Sequence, residues 1–265
     1  KIQLFGDVQY CAVGGWISGS SINGRVAEAL HVGENVHDFS VDEVARVSLG
    51  KNTFGFSVGK ILGGEGNEPS LAMGQGSQCT IKGSVQGEVV LGGDRFSMAS
   101  LHVRKGIYGD ITSDGGSVTA ETVTGAVHIG VNSVLNANRI SASDVLVAGN
   151  LEADEIVVSG EFSLRGSVTA QSLSAKFFSA QPEGRIRLED ALTADAITMN
   201  RGEIYAKTVS TDKLSITKGV LICESLCPRA SEMVVVSLTG GRLQAREATN
   251  VAWRQREDGD VHINF

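Results

Sequence analysis

Between Gly149 and Leu226, aliphatic, small and polar positions recur in blocks that each begin at a glycine. The blocks are Gly149-Asn-Leu-Glu-Ala-Asp-Glu-Ile156, Gly166-Ser-Val-Thr-Ala-Gln-Ser-Leu173, Gly202-Glu-Ile-Tyr-Ala-Lys-Thr-Val209 and Gly219-Val-Leu-Ile-Cys-Glu-Ser-Leu226. Each has an aliphatic residue two after the glycine, a small residue four after and an aliphatic residue seven after. Gly184-Arg-Ile-Arg-Leu-Glu-Asp-Ala191 fits the frame with the small and large interior residues exchanged. The glycines are spaced by 17, 18, 18 and 17 residues, which marks a stacked repeat.

The frame extends backwards through starts at Gly83, Ala99, Gly116 and Ser133. Two after each start stand Val85, Leu101, Val118, Leu135, Leu151, Val168, Ile186, Ile204 and Leu221. A third apolar pair follows in most blocks: Phe96/Met98, Val127/Ile129, Val145/Val147, Phe162/Leu164, Ile197/Met199 and Leu214/Ile216. Its offset drifts, so the variable period is assigned to one loosely constrained corner before the third segment. Alternation within each pair has a period of two, the signature of strands with one face inward. Equivalent residues recur in the same chain direction, so successive blocks must stack in parallel rather than fold as hairpins. The predicted fold is therefore all-β, a triangular parallel β-solenoid with about 17 residues per coil. Glycine at the start of each block is expected to serve a positive-φ corner.

Outward positions suit this register. Five residues after successive starts come Glu189, Lys207, Glu224 and then Arg246, with alternating sign; six after, Arg139 falls below Glu155. Like charges in one column would sit about 5 Å apart, so alternation disfavours a slipped stack.

The ends are less regular. Residues 1–82 are expected to be an irregular part with degenerate coils. Within them, Lys1 to Phe5 reads as a coil fragment or an amphipathic tail, 38–47 as a short helix or irregular strand, and Gly63-Gly-Glu-Gly as a turn rather than a phosphate loop. Residues 83–226 form the regular solenoid. Residues 227–265 hold one further matching block at Gly241 and a tail that caps the stack or serves as an assembly surface.

Composition narrows the class. There are 33 Gly but 3 Pro, aromatics make up 5%, and the net charge is −7 with signs interspersed. This excludes collagen and argues against a nucleic-acid surface. No apolar run reaches the roughly 18–20 residues that span a bilayer. The chain starts at Lys1 rather than Met, which leaves room for an upstream targeting segment. Cys11, Cys79, Cys223 and Cys227 are scattered, as expected of small buried side chains in a cytoplasmic or other reducing compartment.

Candidate chemistry is sparse. The histidines never cluster with cysteine, and His31 and His37 with Glu34 and Asp38 read as a solvated loop rather than a metal site. The acidic pairs Asp154/Glu155 and Glu189/Asp190 do not converge from several coils. No catalytic residue, cofactor or metal is expected.

The blocks at Gly116, Gly149 and Gly166 resemble the repeats of bactofilins, polymer-forming bacterial cytoskeletal proteins, over about residues 83–226. The resemblance implies a right-handed β-helix that polymerises end to end without nucleotide. The expected function is a non-catalytic scaffold that self-associates as a homo-oligomer or filament, or joins the protein subunits of a larger assembly. Trp16, Trp253 and Phe265 are the assembly candidates, since they lie near the ends. A surface or phage fibre module that binds a glycan or receptor is the alternative. Acyltransferases built on hexapeptide repeats come third. They keep a small residue directly after each aliphatic, where this chain has Glu152, Thr169, Arg187 and Tyr205.

Overall fold

The computed structural model describes residues 3–14, 17–64, 68–93 and 97–263. Of the three assembly candidates, Trp16 and Phe265 lie outside these residues. The fold is an all-β parallel β-solenoid of about 14 turns with about 18 residues per turn, and no helix occurs among the described residues. The chain divides into two compact units, Lys1–Asn138 and Arg139–Phe265.

In the second unit the glycine-led frame holds. The strand Asn150–Leu164 lies parallel on Ser167–Ala180, with Leu151 beside Val168, Ala153 beside Ala170 and Ile156 beside Leu173. Ile186, Ile204, Leu221 and Leu243 continue the first column, all buried. Phe162 stacks on Phe178 with centroids 5.6 Å apart, so an aromatic column grows like with like. Half of the exchange at the Gly184 block holds, since Leu188 sits buried beside Ala170 in the small column; the other half does not. One extra residue enters at Glu189-Asp190, so Leu192 rather than Ala191 pairs with Leu173 and Val209 and fills the core position.

The tail continues the stack of coils. Val234–Ala248 pairs in parallel with Val220–Cys227, and Val251–Ile263 pairs in parallel with Val234–Ala248. A block at Gly259, in register with Gly241, adds one more coil segment.

The first unit corrects the expected frame. Residues 38–47 belong to the strand Val36–Leu49, which lies parallel to Ile17–Val32 with Ile22 beside Val41 and Leu30 beside Val47. Phe39 stacks on Phe56 within this core at 5.9 Å. The residues that precede the Ala99 block in the first column begin near Ser77, since Leu101 pairs with Cys79. Val85 instead lies beside Ile107 in the second segment, and Val89 and Leu91 supply the third, next to Ile111 and Ser113. Gly83 therefore starts no block. Met98 is exposed rather than part of an apolar pair, and its supposed partner Phe96 lies outside the described residues. An extra residue before Ile107 restores the register with Val123, as at Leu192.

Three buried hydroxyls in this unit are paired. Thr53 and Ser77 donate to the Gly50 carbonyl, and Ser133 Oγ donates to the Ser113 carbonyl at 2.7 Å.

Among the block-starting glycines of the second unit, Gly241 supplies the left-handed corner itself, with φ of 97°, whereas Gly184, Gly202, Gly219 and Gly259 do not. In those four blocks that conformation falls one residue earlier, on Glu183, Arg201, Lys218 and Asp258, with φ of 74°, 62°, 58° and 48°. Most of these glycines are required instead by close approach of the coil below. A Cβ at Gly166 would collide with the backbone of Ala148 and Gly149, and one at Gly202 would lie 2.8 Å from the Ala180 Cβ.

Two predictions separate these roles. Gly166→Ala is expected to cost about 1–3 kcal/mol through overpacking, whereas Arg201→Gly is expected to change stability by under about 1 kcal/mol, because relief of backbone strain offsets added unfolded-state freedom. Chemical denaturation of both variants checks the assignment. Ala153→Arg would place an unpaired charge in the core column beside Ala170, at a cost of several kcal/mol. A near-normal melting temperature would overturn the register.

Candidate functional site

The described residues present three features that could carry function: the edge strands, a pinned loop and a charged groove.

At one edge, Gln3–Phe5 and Val8–Val13 hydrogen-bond to Ile17–Val32 and, among the described residues, to no other strand. Their side chains include Leu4, Phe5 (77% exposed) and Tyr10 (54% exposed). Tyr10 leans against His31 with ring centroids 5.4 Å apart. The sequence left Lys1 to Phe5 open between coil and tail; its described part, Gln3–Phe5, is coil. At the other edge, Val251–Ile263 pairs only with Val234–Ala248 among the described residues. Trp253 stands beside Val236, at the inward position of Leu214, yet is 37% exposed. Open N–H and C=O rows next to exposed apolar side chains are templates for a further strand.

The loop lies in the second unit, where Pro228–Met233 interrupts the stack. The Asp212 carboxylate accepts the backbone N–H groups of Arg229, Ala230 and Ser231 at 3.0, 2.9 and 2.9 Å, and the Ser231 hydroxyl at 2.8 Å. Hydrogen bonds from the Ser231 and Ala230 backbones above all hold its carboxyl down at about 2. Arg229 reaches back to Asp195 at 2.8 Å and to the Ala175 carbonyl at 3.0 Å. The same device recurs at other corners. Asp7, Asp110 and Asp144 accept the N–H of Arg25, Ala126 and Glu161 in the adjacent coil. The sequence reading missed these aspartates, although the position of Asp110, Asp144 and Asp212 at the loose corner was a usable signal; Asp7 instead precedes the second segment.

The groove, also in the second unit, has a volume of about 810 Å³ and is open to solvent. Glu189, Lys207, Glu224 and Arg246 form one wall, and Tyr205 and Ile222 belong to the other. The predicted charge column is therefore present. Unlike Arg139 and Glu155, which meet at 3.3 Å, its four members form no ion pair within 4 Å among the described residues.

No group of three or more His, Cys, Asp or Glu that could hold a metal occurs among the described residues. His37 stacks on Phe54 rather than facing His31. All four cysteines are free; burial pushes the Cys223 thiol up to about 12 and raises that of Cys79 as well.

These features define a parallel β-solenoid whose differentiated surfaces are its edges and one charged face. No protein-family model matches the chain, and no curated protein or solved structure matches it.

Asp212 has a pH signature. Its folded value lies below the unfolded 3.8, so its contribution is complete above about pH 4 and is lost as pH falls towards 2. Asp212→Ala is expected to lower stability by about 1 kcal/mol at pH 7 and by less at pH 2.5. Urea melts at the two pH values check this; equal losses would remove the carboxylate from the explanation.

Proposed function

We propose that this protein is a non-catalytic scaffold that joins copies of itself, or subunits of a larger assembly, through the edges and faces of its coils. The observation that carries this reading is the pair of edge strands, each of which pairs with one neighbouring coil only among the described residues; Leu4, Phe5 and Tyr10 are exposed on one and Trp253 on the other. A parallel coil placed on such an edge gains the same backbone hydrogen bonds and column contacts as every internal coil, with no nucleotide or metal required. Contact between unlike edges is heterologous, and when it does not close it generates a filament.

The bactofilin-like repeat supports the same reading, because that family polymerises through stacked coils of this kind. Four free thiols, two of them buried, fit a reducing compartment.

Electron microscopy of the purified chain over a range of concentration tests the proposal. Filaments or end-to-end oligomers are expected. Replacement of Phe5, which is 77% exposed, by aspartate should shorten or abolish them while the melting temperature stays within a few degrees. A strict monomer at high concentration would overturn self-association and favour the fibre or receptor-binding reading.

A further inference from the structure

We infer that the charged face of the second unit pairs with the same face of a second copy, turned so that the two coil stacks run antiparallel. This inference extends the scaffold reading from coil edges to a lateral contact.

It rests on the order of residues in two columns. From coil to coil, one column reads Glu189, Lys207, Glu224, Arg246, and its neighbour reads Arg187, Tyr205, Ile222, Gln244. A two-fold axis parallel to the strands reverses the coil order but leaves each column facing its own counterpart. Glu189 then meets the second copy's Arg246, and Lys207 meets its Glu224, so that four ion pairs form across the contact. In the adjacent column Tyr205 meets Ile222 at the centre, and Arg187 meets the Gln244 amide. This is the self-complementarity that an isologous contact requires.

The competing parallel arrangement sets one column against the other. Glu189 then faces Arg187, but Glu224 faces Ile222 and Arg246 faces Gln244, which leaves only two ion pairs. A further column would bring Arg185 opposite Arg242 in the antiparallel pair. Both are already engaged within the chain, Arg185 with Glu203 at 3.6 Å and Arg242 with Gln244 at 2.8 Å.

Two observations leave the face available. All four members of the charge column are exposed, and none has an ion-pair partner among the described residues. Tyr205 is 40% exposed, an aromatic side chain with no ring partner among the described residues.

Size decides what kind of contact this is. Four coils at about 4.8 Å by five residues at about 3.3 Å give a face of roughly 300 Å², well below the roughly 800 Å² per partner of a stable complex. Each exposed ion pair contributes at most about fivefold. The contact is therefore weak and salt-sensitive between single molecules. It becomes effective where many copies are held in line, as along a filament.

Sedimentation equilibrium of the full chain at low and physiological salt, with electron microscopy of the same samples, tests the inference. Glu189→Arg and Arg246→Glu are each expected to weaken lateral association at least fivefold at low salt, and the double variant should restore it to within about twofold. Lys207→Glu with Glu224→Lys repeats the logic on the central pairs and guards against a local effect of either single change on folding, which melting curves report. Lateral association that is indifferent to salt and to the single variants, or a double variant weaker than both singles, would overturn the inference. Unpaired filaments would sink the lateral contact alone. Salt-sensitive dimers without filaments would sink only end-to-end growth.

Discussion

Each coil donates and accepts its backbone hydrogen bonds through the coils above and below, and this condition governs the rest of the structure. Parallel pairing at about 4.8 Å sets equivalent residues directly over one another. A position is therefore judged by whether its side chain can stack on its own kind. Val168 succeeds on Leu151, Phe178 on Phe162 and Ala170 on Ala153. Gly166 follows the same rule for a different reason. The chain passes so close to the coil below at that corner that a Cβ at Gly166 has no room.

Several of the variations in length fall where stacking is not at stake. The extra residue at Glu189-Asp190 and the one before Ile107 sit between core segments, and the Pro228–Met233 insertion leaves from the loose corner. Excursions of this kind free backbone N–H groups that must find new acceptors. Asp212 gathers three of them, and Asp110 and Asp144 each take one. A short side chain with two acceptor oxygens at a fixed corner replaces the missing ladder bonds and keeps the insertion in place.

The same constraint shapes the surface. Outward residues also form columns, and each column has a pattern that another molecule can match or fail to match. The apolar side chains Phe5 and Tyr10 and the partly covered Trp253 lie on edge strands, where backbone groups are also open. The charged columns lie on a broad face where the backbone is satisfied. Edges therefore suit growth by added coils, and the face suits a weaker lateral contact.

The repeat, the parallel stacking and the inward identity of most core residues were legible from the sequence, because one-faced strands and column stacking constrain residue type at every turn. Arg139 below Glu155 and Cys223 in the small interior position were read correctly for that reason. The frame failed at Gly83, where a 22-residue separation from Ser77 to Ala99 and an aliphatic Val85 mimicked a block start. For residues 38–47 the spacing of Val41, Val44 and Val47 left a short helix and an irregular strand open, and the neighbouring strands Ile17–Val32 and Phe56–Ile61 select the strand. Only the tertiary structure assigned the positive-φ corner to Arg201 and Lys218 rather than to the glycines after them, and the reach of Arg229 to Asp195 and Ala175. Periodicity reports which residues share a column. It carries no record of how closely two coils approach at a corner, which depends on the path of the chain in both at once.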